Sequence, residues 1–141
     1  MLPRTELSAV EINAKAVEEL TKLGLKSVFH GSVLDFEARD AVDLVFTKGV
    51  LIHIAPEELP AVYERMMRVS RRFILLVEYY NTRPETLDYR GHGAKLFRRD
   101  FAGDLLDRYP ELSLRDYGFV YRRDPVLVQQ DDLTWFVLEK R

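Results

Sequence analysis

The sequence predicts an α/β fold: a mostly parallel sheet with crossover helices, closed by an antiparallel hairpin at its carboxyl end. Three observations carry this expectation. Phe73-Ile74-Leu75-Leu76-Val77 is a continuous apolar run, the pattern of a strand covered on both faces. Upstream of it, short apolar runs and stretches of helical periodicity follow the order strand, helix, strand, strand, helix, strand, which builds parallel sheets. Downstream, Leu112–Tyr121 and Leu133–Glu139 alternate apolar and polar residues with no helix between them. Strands joined in that way pair most simply as a hairpin at a sheet edge.

Leu7-Ser8-Ala9-Val10-Glu11-Ile12 is the first expected strand, with an acid near its carboxyl end. Asn13 suits an N-cap, Ala16, Val17, Leu20 and Leu23 recur at helical spacing, and Gly24 ends the helix. Lys26–Phe29 is a brief strand, and His30-Gly31-Ser32 a turn. Val42, Leu44, Val45 and Phe46 form a short buried strand that stops at Thr47-Lys48-Gly49, residues suited to a turn. Val50, Leu51, Ile52 and Ile54 are a second apolar group, interrupted by His53. A helix is expected from about Pro56 to Val69, with proline and two acids in its first turn and Leu59, Val62, Tyr63 and Met66 on one face.

After the Phe73 strand, Glu78-Tyr79-Tyr80-Asn81 opens a polar stretch reaching Lys95, expected as a loop or lid. Phe97, Phe101, Leu105, Leu106 and Tyr109 then mark a helix that stops at Pro110. Arg122–Asp132 joins the last two strands.

At 141 residues the chain is one domain's worth, 1-141, with 47% hydrophobic and 31% charged residues. The formal net charge is -2, from 21 basic and 23 acidic residues, which gives no basic footprint for nucleic acid and no polybasic membrane anchor. The absence of cysteine excludes disulfides, thiolate catalysis and zinc-thiolate sites. Histidines at 30, 53 and 92 show no metal-ligand spacing, so no metal is expected. No apolar run reaches membrane-spanning length and the amino terminus lacks a signal-peptide core, so the default expectation is cytoplasmic.

In open α/β sheets, ligands sit beyond the carboxyl ends of the parallel strands. Lys48, Gly49 and His53 fall there, as do Tyr79, Tyr80 and Asn81. The order of elements resembles the class I S-adenosylmethionine-dependent methyltransferases, which have a Rossmann-like sheet. Val10-Glu11-Ile12-Asn13 resembles that family's second-strand motif, and His30-Gly31-Ser32-Val33 its adenine-contacting turn, with Ser32 where aspartate is usual. Asp43-Leu44-Val45-Phe46 with Thr47–His53 resembles the fourth strand and its substrate-side loop. More narrowly, Phe46–Ile54, Glu78–Asn81, Tyr89-Arg90-Gly91-His92, Phe97–Tyr109 and Asp131–Phe136 are similar to methylases associated with pseudaminic acid biosynthesis.

The resemblance implies S-adenosylmethionine as cofactor, with Glu11 on the ribose, Ser32 and Val33 on adenine, and Thr47, Lys48 and Gly49 along its inner edge. It implies methyl transfer to a hydroxyl or amine of a small sugar-like acceptor, such as a nonulosonic acid. His53 would serve as base, and Tyr79, Tyr80, Asn81, Arg90 and His92 would contact the acceptor. Each residue also has a plainer reading. Glu11 fits a solvated acid beside a helix start, Ser32 ordinary turn chemistry, and Lys48 an exposed cation. His53, flanked by Ile52 and Ile54, fits a hydrogen-bonded structural histidine, and the tyrosines fit packing under a loop. Arg90, best suited to grip a carboxylate, shares a polar stretch with His92 and Lys95 that needs only solvent.

One departure from the family stands out. Its first strand and Gly-rich loop have no counterpart, since no Gly-x-Gly follows a strand and Gly91-His92-Gly93 lies in the polar stretch. The expectation is therefore a truncated or reduced member with the first strand missing. The Leu7 and Val42 strands would then pair with each other or support a homo-oligomer through exposed edges. The alternative to an enzyme is a non-catalytic module or fragment completed by another chain.

Overall fold

A computed structural model of the chain describes residues 5–38, 40–89, 94–126 and 131–141. The chain divides into two compact units, Met1–Arg39 and Asp40–Arg141.

In the first unit, β1 (Ser8–Glu11) and β2 (Ser27–His30) pair in parallel, from Ser8 opposite Ser27 to Glu11 opposite His30. Helix α1 (Ala14–Lys22) makes the crossover. Its start is set by Asn13, whose side-chain oxygen accepts the N–H groups of Lys15 and Ala16 at 3.0 and 3.3 Å. Just past its end, Gly24 sits at φ +70°, a left-handed conformation that ends helices and favours glycine.

In the second unit, β3 (Val42–Lys48) and β4 (Ser70–Glu78) pair in parallel across helix α2 (Leu59–Val69). A 3-10 turn, Leu51–His53, follows β3. β5 (Glu85–Tyr89) and β6 (Ala94–Arg98) form a separate antiparallel ribbon. Helix α3 (Phe101–Arg108) begins at Asp100, whose carboxylate accepts the Gly103 N–H at 2.7 Å. β7 (Leu112–Val120) and β8 (Leu133–Lys140) close the chain. The main sheet has the order β3-β4-β8-β7, with β8 antiparallel to both neighbours.

The core of this unit lies on one face of that sheet. Ile74, Leu76 and Glu78 of β4 are buried with Leu138 of β8, while Phe73, Leu75 and Val77, on the opposite face, are half-buried. Leu51, Leu59, Val62 and Leu105 are among the other side chains buried in this unit. Each such aliphatic side chain contributes roughly 1.5–3 kcal/mol by leaving water. Covering of the Phe73–Val77 run is therefore complete on one face only, contrary to the expectation from its continuous apolarity.

The structure corrects several other expectations. The sheet is mixed rather than mostly parallel, because β4 takes antiparallel β8 as its second neighbour and β1-β2 forms a sheet of its own. Of the two expectations for the Leu7 and Val42 strands, direct pairing has no counterpart among the described strand pairs. Among the described residues β1 is paired to β2 alone, and β3 to β4 alone. The polar stretch after Glu78 contains the β5–β6 ribbon, in which Leu87 lies opposite Leu96 and charged residues interrupt both short strands. Phe97 belongs to β6, and the following helix starts four residues later. Thr47 and Lys48 continue β3, held by pairing with Leu76 and Val77. Helix α2 starts at Leu59, with Pro60 in its first turn, where a missing N–H costs nothing.

Candidate functional site

In the first unit the carboxyl ends of β1 and β2 bring Glu11 next to the His30–Val33 turn. The Gly31 N–H donates to the Glu11 carbonyl at 2.9 Å. The Glu11 carboxylate accepts the Asn13 N–H at 2.7 Å, which fixes it at the mouth of α1. Ser32 turns its hydroxyl onto the Leu34 N–H at 3.1 Å, closing a local turn, and Val33 is half-buried beside it. An acceptor-only carboxylate next to a tight turn is a suitable seat for paired hydroxyl donors.

In the second unit the corresponding lip follows β3. Gly49 adopts φ +61° and donates its N–H to the Val77 carbonyl at 2.9 Å. That left-handed step turns the chain back over the end of β4, so that Val50 and Leu51 present their N–H groups to the Glu78 side chain. Leu51 and Ile52 plug the core, and His53 stays exposed at the surface of the turn.

Tyr79, Tyr80 and Asn81 continue from β4 and meet the neighbouring strands. The Tyr79 hydroxyl donates to the Asp131 carboxylate, and the Arg98 guanidinium lies 5.6 Å from the Tyr79 ring centroid. Tyr80 is 42% exposed, with its ring 5.9 Å from that of Phe136. Asn81 donates to Glu85 at 3.1 Å. The structure thus brings Thr47–Gly49, His53 and Tyr79–Asn81 to one end of the second unit's sheet. Glu11, Ser32 and Val33 share one end of the first unit. Arg90 and His92 lie outside the described residues.

Sequence reasoning missed Glu78. It ends β4 at 4% exposure, and its Oε1 accepts the N–H groups of Val50 and Leu51 at 3.1 and 3.3 Å. Burial raises its pKa above the ordinary carboxylate range, while the Thr47 hydroxyl and the backbone N–H groups of the turn pull it back. Glu78 Oε2 and the Thr47 hydroxyl are both buried, and neither meets a well-aligned hydrogen-bond partner. The available signal was a charged residue ending the most apolar strand in the chain.

Glu78 lines a cavity of about 10 Å³ together with Leu76, Tyr80, Arg99, Phe101 and Phe136. Arg99 is also part of the wall of an open groove of about 380 Å³ between α2 and α3. Its Nε is held 2.7 Å from Asp104 Oδ2, which also accepts the Tyr63 hydroxyl at 3.1 Å. Burial, with Asp104 beside it, pushes the Tyr63 pKa far up, so the hydroxyl remains a neutral donor. Among the described residues no group of His, Asp and Glu has the arrangement of a metal site. No helix among them is long and apolar enough to cross a membrane.

No protein-family model and no curated protein sequence matches the chain. Solved structures do match in fold. A magnesium protoporphyrin IX methyltransferase from Synechocystis PCC 6803, crystallised with bound SAM, aligns at TM-score 0.68 and 14% identity, over 97% of this chain and 60% of that one. The 1,6-didemethyltoxoflavin-N1-methyltransferase of Burkholderia thailandensis, with bound S-adenosylhomocysteine, aligns at 0.70 and 14%, over 94% and 60%. The N-methyltransferase NodS of Bradyrhizobium japonicum WM9 aligns at 0.68 and 12%, over 96% and 73%. The chain therefore has the fold of S-adenosylmethionine-dependent methyltransferases, and spans 60% of the length of the first two.

Proposed function

We propose that the chain is an S-adenosylmethionine-dependent methyltransferase that modifies a hydroxyl or amine of a small acceptor. The observation that carries this reading is the match of 94–97% of the chain to folds crystallised with that cofactor or its product. The same coverage supports treating residues 1-141 as one methyltransferase-like domain. The residues of the first unit suit the adenosine end of the ligand. The fixed Glu11 carboxylate receives the ribose hydroxyls, with Ser32 and Val33 beside the adenine. Bound S-adenosylmethionine supplies a methyl group activated by a sulfonium.

The chain's own work is to orient the acceptor and to take its proton. Orientation is the larger part, since an aligned nucleophile needs few catalytic side chains. By the family resemblance, Thr47, Lys48 and Gly49 would lie along the cofactor's inner edge. His53 receives the acceptor's proton, a role favoured by its exposed position on a turn whose backbone is pinned by Glu78. Tyr79, Tyr80 and Asn81 supply the acceptor wall, and the family resemblance assigns acceptor contacts to Arg90 and His92 as well. The similarity of several stretches to pseudaminic acid-associated methylases supports an acidic, sugar-like acceptor of the nonulosonic acid class.

Titration calorimetry with S-adenosylhomocysteine tests the reading. Saturable heat at micromolar concentration is expected, and no heat above dilution would remove the enzyme. A second reading, a non-catalytic module completed by another copy or chain, is favoured by β3: its sole described partner strand is β4, and Leu44 and Phe46 are 46% and 60% exposed. Light scattering separates the two, since a monomer that binds the product contradicts the module.

A further inference from the structure

Glu78 holds more charge than its structural duty requires. A glutamine at this position would accept the Val50 and Leu51 N–H groups through its carbonyl oxygen, with no charge to desolvate. What the carboxylate adds is a second anionic oxygen, buried, with the Thr47 hydroxyl beside the carboxylate and no well-aligned donor of its own. Its residue lines a cavity of about 10 Å³, the size of a single water site. The remaining walls are mostly apolar: Leu76, Phe101, Ala102 and Phe136, with Tyr80 at the rim. Arg99, the one cationic wall, is engaged by Asp104 and separates the cavity from the outer groove.

We propose that Glu78 Oε2 is the docking point for a hydroxyl or ammonium group of the methyl acceptor, a site that a single water fills when no acceptor is bound. The donor group takes the place of the water in the cavity, and the acceptor's carbon frame stays outside it, against the exposed Tyr80 at the rim. Glu78 binds and selects in this arrangement, and the proton transfer stays with His53. A carboxylate in such a wall discriminates, because an acceptor that displaces the water without bringing a donor would remove a hydrogen bond from Oε2 and put nothing in its place. The assignment to the methyl acceptor rests on the methyltransferase reading; the donor site itself does not.

The probe is methylammonium chloride, titrated into labelled protein while the Val50 and Leu51 amide signals are followed, since both share the Glu78 carboxylate. Tetramethylammonium chloride, a cation without N–H donors, is the control. The account expects saturable shifts at both amides with methylammonium and none with tetramethylammonium. Binding should weaken about tenfold or more in Glu78→Gln, the loss of a hydrogen bond to a charged group. Ala102→Val, which fills the cavity and leaves Glu78 in place, should abolish the response, and His53→Ala should retain it. Equal shifts with both cations, no saturable shift, or an unchanged response in Glu78→Gln would overturn the site. Saturable shifts in a protein that fails to bind S-adenosylhomocysteine would keep the donor site and overturn its assignment to a methyl acceptor.

Discussion

Gly49 donates its N–H to the carbonyl of Val77 at 2.9 Å while holding φ at +61°, and this contact turns the chain after β3 back across the end of β4. No atom lies within 4 Å of where a Cβ would sit, so substitution is opposed by backbone conformation alone. Gly49→Ala should cost about 1–2 kcal/mol of stability. It should also loosen the Val50–His53 turn, read as faster amide exchange at Val50 and Leu51. A variant as stable as the parent, with unchanged exchange, would show that the turn does not depend on this conformation.

Glu78→Gln should alter the pH dependence of stability in a defined direction. The folded-state pKa of Glu78 is raised by burial, so the folded chain binds this proton more tightly than the unfolded chain does. The associated stability is fully present below the ordinary carboxylate range and is lost as pH rises through the raised folded pKa. The glutamine variant lacks this loss. Its melting temperature relative to the parent should therefore be higher at neutral pH than in acid. A difference independent of pH would contradict the raised value.

Glu11→Ala should weaken binding of S-adenosylhomocysteine more than it weakens the fold. The carboxylate is held by one backbone N–H from Asn13 at the start of a helix with its own cap. Losing a charge-assisted contact to ribose should cost on the order of 1.5–3 kcal/mol. Calorimetry on the variant checks this, and equal affinity would rule out the ribose role.

His53→Ala should leave the melting temperature nearly unchanged, because the side chain is exposed and the turn is anchored by Leu51, Ile52 and Glu78. With a working acceptor, turnover should fall roughly a hundredfold or more at unchanged cofactor affinity. Turnover that falls only in step with the folded fraction would make His53 structural.

Much of this architecture was legible in residue types. Asn13 and Gly24 bound α1 as their side chains require, and the alternating Leu112 and Leu133 segments pair as an antiparallel edge. Other features were set at a distance. Thr47 and Lys48 have turn propensity, yet pairing with Leu76 and Val77 keeps them in β3. The β5–β6 ribbon consists of two five-residue strands, too short for their alternation to stand out within a polar stretch. Candidate site positions at strand ends followed from the general geometry of α/β sheets. Glu78 could not be read the same way, because its burial depends on N–H groups 27 and 28 residues earlier in the chain.

The most direct test of the central claim is a titration of labelled protein with S-adenosylhomocysteine, followed residue by residue. The account predicts saturable shifts at the Glu11, Ser32 and Val33 amides, with a further response at Gly49. No saturable shift at any of these amides up to about 1 mM ligand, a binding free energy of roughly -4 kcal/mol, would contradict it.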